Sequence, residues 1–277
     1  MQLGVCIVHG ERPVDEAFAA ARALGFGYCQ LVSWDRRRWT AEEAARIREA
    51  CARHDMHITA FWCGWGGPAC WDFYDGQETL GLVPETYRYA RMQDLMDGAD
   101  FAASLGVAEV VTHMGFLPEN PHDPRYAGVV AAIRTVARHL LDHRQTLLFE
   151  TGQETPVTLR RAIEDVGTGN LGVNLDPANL VMYGKANPVD ALDVIGPFVR
   201  GVHAKDGKYP ENGRELGPEV PIGSGKVDFP RLIRRLRECG FDGCITIERE
   251  ISGEQQERDI RQAKAYLQTL LSPDSPL

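Results

Sequence analysis

Four short apolar runs, each ending at a residue able to bind a cation, limit what this chain can fold into. TLLFE ends in Glu150, LGVNLD in Asp176, VRGVHA carries His203, and CITIE ends in Glu248. The steps from 150 to 176 and from 176 to 203 are 26 and 27 residues, the length of one strand, one helix and two loops. A strand alternates faces with period two. Leu148 and Glu150 therefore share one face, and Leu147 and Phe149 the other. Likewise Asn174 and Asp176 oppose Val173 and Leu175, while Gly201, His203 and Lys205 oppose Val202 and Ala204. In the last run Thr246, Glu248 and Glu250 oppose Ile245 and Ile247. Each run keeps an apolar face for covering helices and turns its ligand the other way. Three carboxylates and an imidazole meeting at four strand ends read as a site for one divalent metal. Without a cation the carboxylates would repel one another and take up protons.

The same rhythm runs through the rest of the chain. Strands are expected at 3–8, 28–33, 57–63, 108–115, 146–150, 171–176, 199–204 and 243–248. Amphipathic patterns between them predict helices at 13–24, 40–54, 87–105, 125–143 and 228–239, with others starting at Thr155-Pro156 and Asn187-Pro188 and a last one at 254–271. Gly25 would close the first helix, and Thr40 with Glu43 reads as a capping box. Eight strands, each followed by a helix, imply a single α/β domain: a (β/α)8 TIM barrel over 1–277, with 272–277 as a C-terminal tail. Its chemistry would sit at the C-terminal strand ends. An open doubly wound sheet would want a glycine-rich first turn, and HGERP is not one. Two stretches break the rhythm, 64–87 and 207–227. Both are too long for ordinary connections and read as functional loops, the first as a lid.

Composition narrows the partners. The chain has 277 residues, 44% of them hydrophobic and 25% charged, as in an ordinary soluble globule. A net charge of −9 argues against nucleic acid or an anionic membrane. No apolar run approaches the ~20 residues of a membrane helix. The opening MQLGVCIVHG enters a strand without a basic leader, so no signal peptide is expected. Seven cysteines with no CxxC pair read as reduced thiols of a cytoplasmic protein. A homo-oligomer stays open.

Taken together, the motifs resemble the xylose isomerase-like TIM-barrel superfamily, in its sugar (phosphate) isomerase/epimerase branch. ETGQET (150–155), NLDPANL (174–180), VHAKDG (202–207), PIGSGKVDF (221–229) and GCITIERE (243–250) carry the resemblance. It implies that Glu150, Asp176, His203 and Glu248 bind one divalent metal, often manganese. It also implies that Glu150 and Glu248 flank the substrate as catalytic acid and base. Oxygen-rich ligation suits Mn2+ first, with Mg2+, Co2+ or Zn2+ as alternatives. The implied reaction is isomerisation or epimerisation of a keto-sugar, cyclitol or related polyol, by proton removal beside a carbonyl and an enediolate intermediate. A lyase or dehydratase of inosose or 3-keto-glycoside type would share the first step. A non-catalytic sugar-binding barrel is disfavoured by the intact Glu150 and Glu248. An abasic-site endonuclease is disfavoured by the acidic balance and the missing histidines.

The chain departs from free-ketohexose epimerases at two places. They carry a histidine where this chain has Asn179, and an arginine shortly after the histidine ligand, where it has Lys205 and Lys208. This weakens the case for a free-ketohexose substrate but not for the metal. His113, Gln153, Asn179, Lys205 and Trp62 are the expected substrate contacts. Lys205 and Asp206 have an inner ion pair as their alternative. Trp62, Trp65 and Trp71 read either as a sugar-stacking lid or as core. A lone strand histidine is more often a core residue than a ligand, and His203 gains its reading from the other three. Glu250 shares the face of Glu248 but lies farther from the apolar run. Gly223-Ser-Gly225 resembles a phosphate cradle, although it follows no strand and a plain turn explains it as well.

Overall fold

Eight parallel strands close into a ring in the order β1-β10-β7-β6-β5-β4-β3-β2 in the computed structural model, which describes residues 1–272. They are β1 (Gln2–Val8), β2 (Tyr28–Ser33), β3 (His57–Cys63), β4 (Glu109–Thr112), β5 (Thr146–Glu150), β6 (Leu171–Leu175), β7 (Val199–Ala204) and β10 (Cys244–Ile247). Two short antiparallel strands, β8 (Asp206–Gly207) and β9 (Glu219–Val220), form a ribbon outside the ring. Pairing of Gln2–Val5 on β1 with Cys244–Ile247 on β10 closes the barrel. The expected (β/α)8 architecture is what forms. Of the expected tail, residues 273–277 lie outside the described range.

Side-chain parity sorts the barrel as the alternation predicts. Leu147 and Phe149, Val173 and Leu175, Val202 and Ala204, and Ile245 and Ile247 all face outward into one core. There they meet helix residues such as Ile133, Val136, Leu159, Leu192 and Leu236. Truncating a fully buried phenylalanine such as Phe149 to alanine would cost about 3–5 kcal/mol. The inner faces differ by sector. Ala60, Trp62, Val111 and Leu148 fill one side with Trp65 and Tyr183. Across from them the interior is polar, with Gln30, Asn174 and His203 all buried. Gly201 pairs with Asn174 in the ladder, and a Cβ at Gly201 would overlap the Asn174 side-chain oxygen. The glycine therefore leaves Asn174 room to point inward.

Several local expectations change. Thr40 caps its helix by accepting the Glu43 N–H at 3.2 Å, but the Glu43 carboxylate turns to His9 and Arg46. Only half of the capping box forms. The 64–87 stretch contains a short helix, Gly76–Thr79, and the next helix begins at Glu85. An unexpected helix, Pro177–Met182, starts directly after β6. The 207–227 loop holds the β8–β9 ribbon. Among the described residues no helix is long and apolar enough to cross a membrane, and all seven cysteines are free.

Candidate metal centre

The four ligand candidates arrive from adjacent strands. Glu150 is the last residue of β5, and β6 stops one residue before Asp176. Asp176 then caps the Pro177–Met182 helix, its Oδ1 accepting the Asn179 N–H at 2.8 Å. Proline at the first helical position has no N–H to lose, which favours the helix starting there. Fixing Oδ1 in this way aims Oδ2 into the barrel mouth. His203 projects inward from β7, and Glu248 follows β10 with its N–H on Ala204 O at 3.1 Å.

One ligand atom from each of Glu150, Asp176, His203 and Glu248 lies within 4.8 Å of the others. His203 Nδ1 is 3.2 Å from Glu150 Oε1, 3.3 Å from Glu248 Oε2 and 3.7 Å from Asp176 Oδ2. Yet neither His203 Nδ1 nor Asp176 Oδ2 forms a hydrogen bond. Buried polar atoms are almost always satisfied, so two orphans facing one point need a reason. The other ring nitrogen, Nε2, bonds Gln30 Oε1 at 2.6 Å. Gln30 Oε1 can only accept, so the Nε2 proton is committed and Nδ1 is left for a metal or a second proton. Three oxygens and one nitrogen fit a hard or borderline divalent cation.

The electrostatics agree. Burial opposes charge on His203, but Glu248 and Glu150 outweigh it and hold its pKa well above the imidazole range. A proton there competes with a metal for the same position. Burial opposes charge on Glu150 too, yet His113 and His203 keep its pKa well below the usual carboxylate value. Glu248, against burial, is pulled down to about 2 by Lys205 and His203. Lys205 is held well above its ordinary value, its burial offset by Glu248, Asp176 and Glu250.

Two members of the cluster, Glu150 and Glu248, line a cleft of about 670 Å³, and Asp176 and His203 are fully buried beneath it. Glu150, Glu248, His113 and Asn179 reach it, with Trp34, Trp62 and Trp71 on one wall. The Trp62 indole N–H donates to Glu150 Oε2, Asn179 Nδ2 donates to Glu150 Oε1 at 3.3 Å, and His113 Nε2 lies 3.5 Å from that same oxygen. Asn179 Oδ1 accepts from Lys205 Nζ at 3.4 Å, so the asparagine bridges acid and base. Lys205 sits behind the carboxylates, 3.1 Å from both Glu248 and Glu250. The structure thus brings His113, Asn179 and Trp62 to the cleft. Lys205 and Gln153 are buried outside its lining. Trp65 is buried behind Trp34 and Trp62, whereas Trp71 is exposed.

Two expectations need correcting. Asp206 faces away from the cluster. Its carboxylate accepts the N–H groups of Gly223, Gly225 and Val227 at 2.9, 2.9 and 3.1 Å. The glycine loop cradles the chain's own carboxylate, so its amides are not free for a phosphate. A Cβ at Gly225 would collide with that carboxylate, which explains the glycine. The 64–87 lid is a pinned wall. Arg91, 1% exposed, donates to the carbonyls of Gly66, Pro68 and Gly81 at 3.2, 2.8 and 2.8 Å.

Sequence reasoning missed Gln30, Trp34, Arg91 and Glu154. Gln30 had a signal: it is the polar residue inside the apolar run YCQLVS. Glu154 lies near His113, buried, with Oε2 unpartnered; burial pushes its pKa up to about 7.

The model of the family described as xylose isomerase-like TIM barrel matches residues 18–270. An uncharacterized protein of Methanocaldococcus jannaschii is 26% identical over 180 residues, 59% of this chain. The chain spans 58% of the length of that curated relative. A xylose isomerase domain protein from Planctomyces limnophilus is 32% identical in sequence, with a TM-score of 0.91 over 97% of this chain and 96% of its own. The Escherichia coli 3-keto-D-glucoside 4-epimerase is 17% identical, with a TM-score of 0.72 over 97% and 99%. A Mycobacterium smegmatis protein of this fold, solved in complex with magnesium, is 18% identical, with a TM-score of 0.71 over 94% and 90%. At the two lower identities the likeness is of fold alone. Nearly the whole chain matches the family in both sequence and architecture: it belongs to the xylose isomerase-like TIM barrels.

Proposed function

We propose that this protein is a divalent-metal-dependent isomerase or epimerase acting on a keto-sugar, cyclitol or related polyol. The observation that carries the reading is the convergence of Glu150, Asp176, His203 and Glu248, the two glutamates lining an open cleft and the other two buried beneath it, with His203 Nδ1 and Asp176 Oδ2 making no hydrogen bond. Membership of the family and likeness to a sugar epimerase support the class. These four residues would hold the cation, with Mn2+ favoured and Mg2+, Co2+ or Zn2+ as alternatives. Glu150, Asp176 and Glu248 bring three negative charges together; Lys205, shared between Glu248 and Glu250, offsets part of them, and a divalent ion would offset the rest.

When bound, such an ion supplies a Lewis acid that polarises a substrate carbonyl and an adjacent hydroxyl. The remaining work falls to the chain. Glu248, with 16% of its side chain exposed, is the ligand most open to the cleft and serves as one proton-transfer group. Glu150 serves as the other, held in orientation by Trp62 and Asn179. An enediolate needs a base to form and an acid to collapse, and two carboxylates can exchange those roles. His113 and Asn179 in the cleft position substrate hydroxyls, and Trp62 lines the adjoining wall. Lys205 acts from behind the wall by orienting Glu248. Free thiols fit a reducing cytoplasm, and the net charge of −9 fits a small neutral substrate better than nucleic acid.

The test is a panel of keto-sugars and inososes in D2O, with Mn2+-loaded protein, followed by NMR. The expected result is exchange of the hydrogen beside the carbonyl, with deuterium in the rearranged product. Release of water or an aglycone would identify a lyase. Substrate binding without exchange would replace catalysis with a sugar-binding role. Glu150→Gln and Glu248→Gln should each slow exchange by ~10²–10⁴-fold.

A further inference from the structure

We propose a second divalent-cation site on the outside of the barrel, built from Asp100, His139 and His143. His139 and His143 are four residues apart at the C-terminal end of the Pro124–Asp142 helix, where one face presents both rings. Asp100 faces them from the neighbouring helix, Glu85–Ser104. Its Oδ1 lies 2.6 Å from His139 Nε2 and 2.8 Å from His143 Nε2. All three ligand atoms lie within 4.8 Å of one another. A zinc–nitrogen bond is about 2.0–2.1 Å, so small side-chain rotations let one ion touch all three. The ion would displace two N–H donors crowded on one carboxylate oxygen.

The backbone under the site is already fixed. Gln145, buried two residues after His143, donates its side-chain N–H to Ala99 O at 3.0 Å and Val107 O at 2.9 Å. Ala99 is the neighbour of Asp100, so the spacing between aspartate and histidines is set by a buried polar contact. Asn170 in turn donates to Gln145 O at 3.0 Å. Little conformational entropy is left to lose on binding. Two imidazoles and one carboxylate select a borderline ion such as Zn2+ over Mg2+ or Ca2+. The site is open to solvent, leaving a further position for water. The bound ion clamps together two helices at the end of the barrel opposite the cleft. The Glu85–Ser104 helix also carries Arg91, the residue that pins the tryptophan wall.

The test uses the full chain carrying Asp176→Asn, which disables the buried cluster, titrated with Zn2+ by calorimetry at pH 7.5. One equivalent should still bind and raise the melting temperature. Adding His143→Ala should weaken that binding at least tenfold, and His139→Ala with His143→Ala should abolish both binding and the thermal shift. Absence of Zn2+ uptake by the Asp176→Asn chain would overturn the proposal. So would uptake that persists unchanged without both histidines. Neither outcome depends on whether the buried cluster is catalytic.

Discussion

Gln30 on β2 reaches across the barrel interior to His203 on β7, its Oε1 2.6 Å from the ring Nε2. The contact fixes which nitrogen carries the proton and leaves the other facing three carboxylates. Gln30 Nε2 in turn donates to Asn174 Oδ1 at 3.4 Å, which limits its freedom to flip. Partners of metal-bound histidines typically account for 10–100-fold in affinity. Gln30→Met should therefore weaken metal binding by about that factor while every ligand remains. Competition against a chromogenic chelator measures it. Unchanged affinity would mean the histidine is oriented by something else.

Metal should stabilise the fold through the buried cluster. At 100 times its Kd a single-site ligand adds about 2.7 kcal/mol. Thermal melts of chelator-treated protein, with and without added Mn2+, should show the rise. Asp176→Asn should lose the rise and one equivalent of bound Mn2+. Mn2+ is the right probe because it binds imidazole-rich surface sites more weakly than Zn2+ does. An undiminished Mn2+ response in Asp176→Asn would remove that aspartate from the site.

Glu154 gives a pH signature. Burial raises its folded pKa to about 7, above the 4.5 of an ordinary glutamate. Below 4.5 both folded and unfolded chains hold the proton. Between 4.5 and about 7 only the unfolded chain releases it, so stability falls with rising pH across that window. Glu154→Gln removes this loss. Between pH 5 and pH 8 the variant should gain on the order of 1–3 kcal/mol relative to wild type, read by urea denaturation. A gap equal at both pH values would show that the carboxyl ionises freely.

Arg91 holds three carbonyls of the tryptophan stretch from inside the protein. Arg91→Met leaves these acceptors without their charged donor. The expected cost is about 2–4 kcal/mol, with faster amide exchange confined to residues 64–83. Arg91→Lys should not restore it, because one ammonium cannot span the fork of a guanidinium. Uniform exchange across the barrel would show that Arg91 supports global packing and not the wall.

The barrel and the meeting of four cation-binding side chains at one end of it were legible because both depend on short-range periodicity. Alternation along a strand decides which face a side chain occupies, and the β/α repeat decides that Glu150, Asp176, His203 and Glu248 emerge at one end. Those facts survive folding because parallel ladders hold the register that the apolar pattern demands. The helix starts at Thr155 and Asn187 were legible for a similar reason, since a cap is a contact between residues two or three apart.

What only the tertiary structure decided involves partners far apart in sequence. Gln30 and His203 are 173 residues apart, and Trp62 and Glu150 are 88 apart. No local pattern announces that a strand glutamine will orient a distant imidazole, or that an indole will hold a carboxylate. The glycine loop looked like an anion cradle by its own residues, and the anion proved to be Asp206 from the neighbouring segment. Helix packing, not periodicity, brought Asp100 to His139 and His143. Local spacing determines where a side chain points, but its partner depends on which strands and helices the closed barrel makes neighbours.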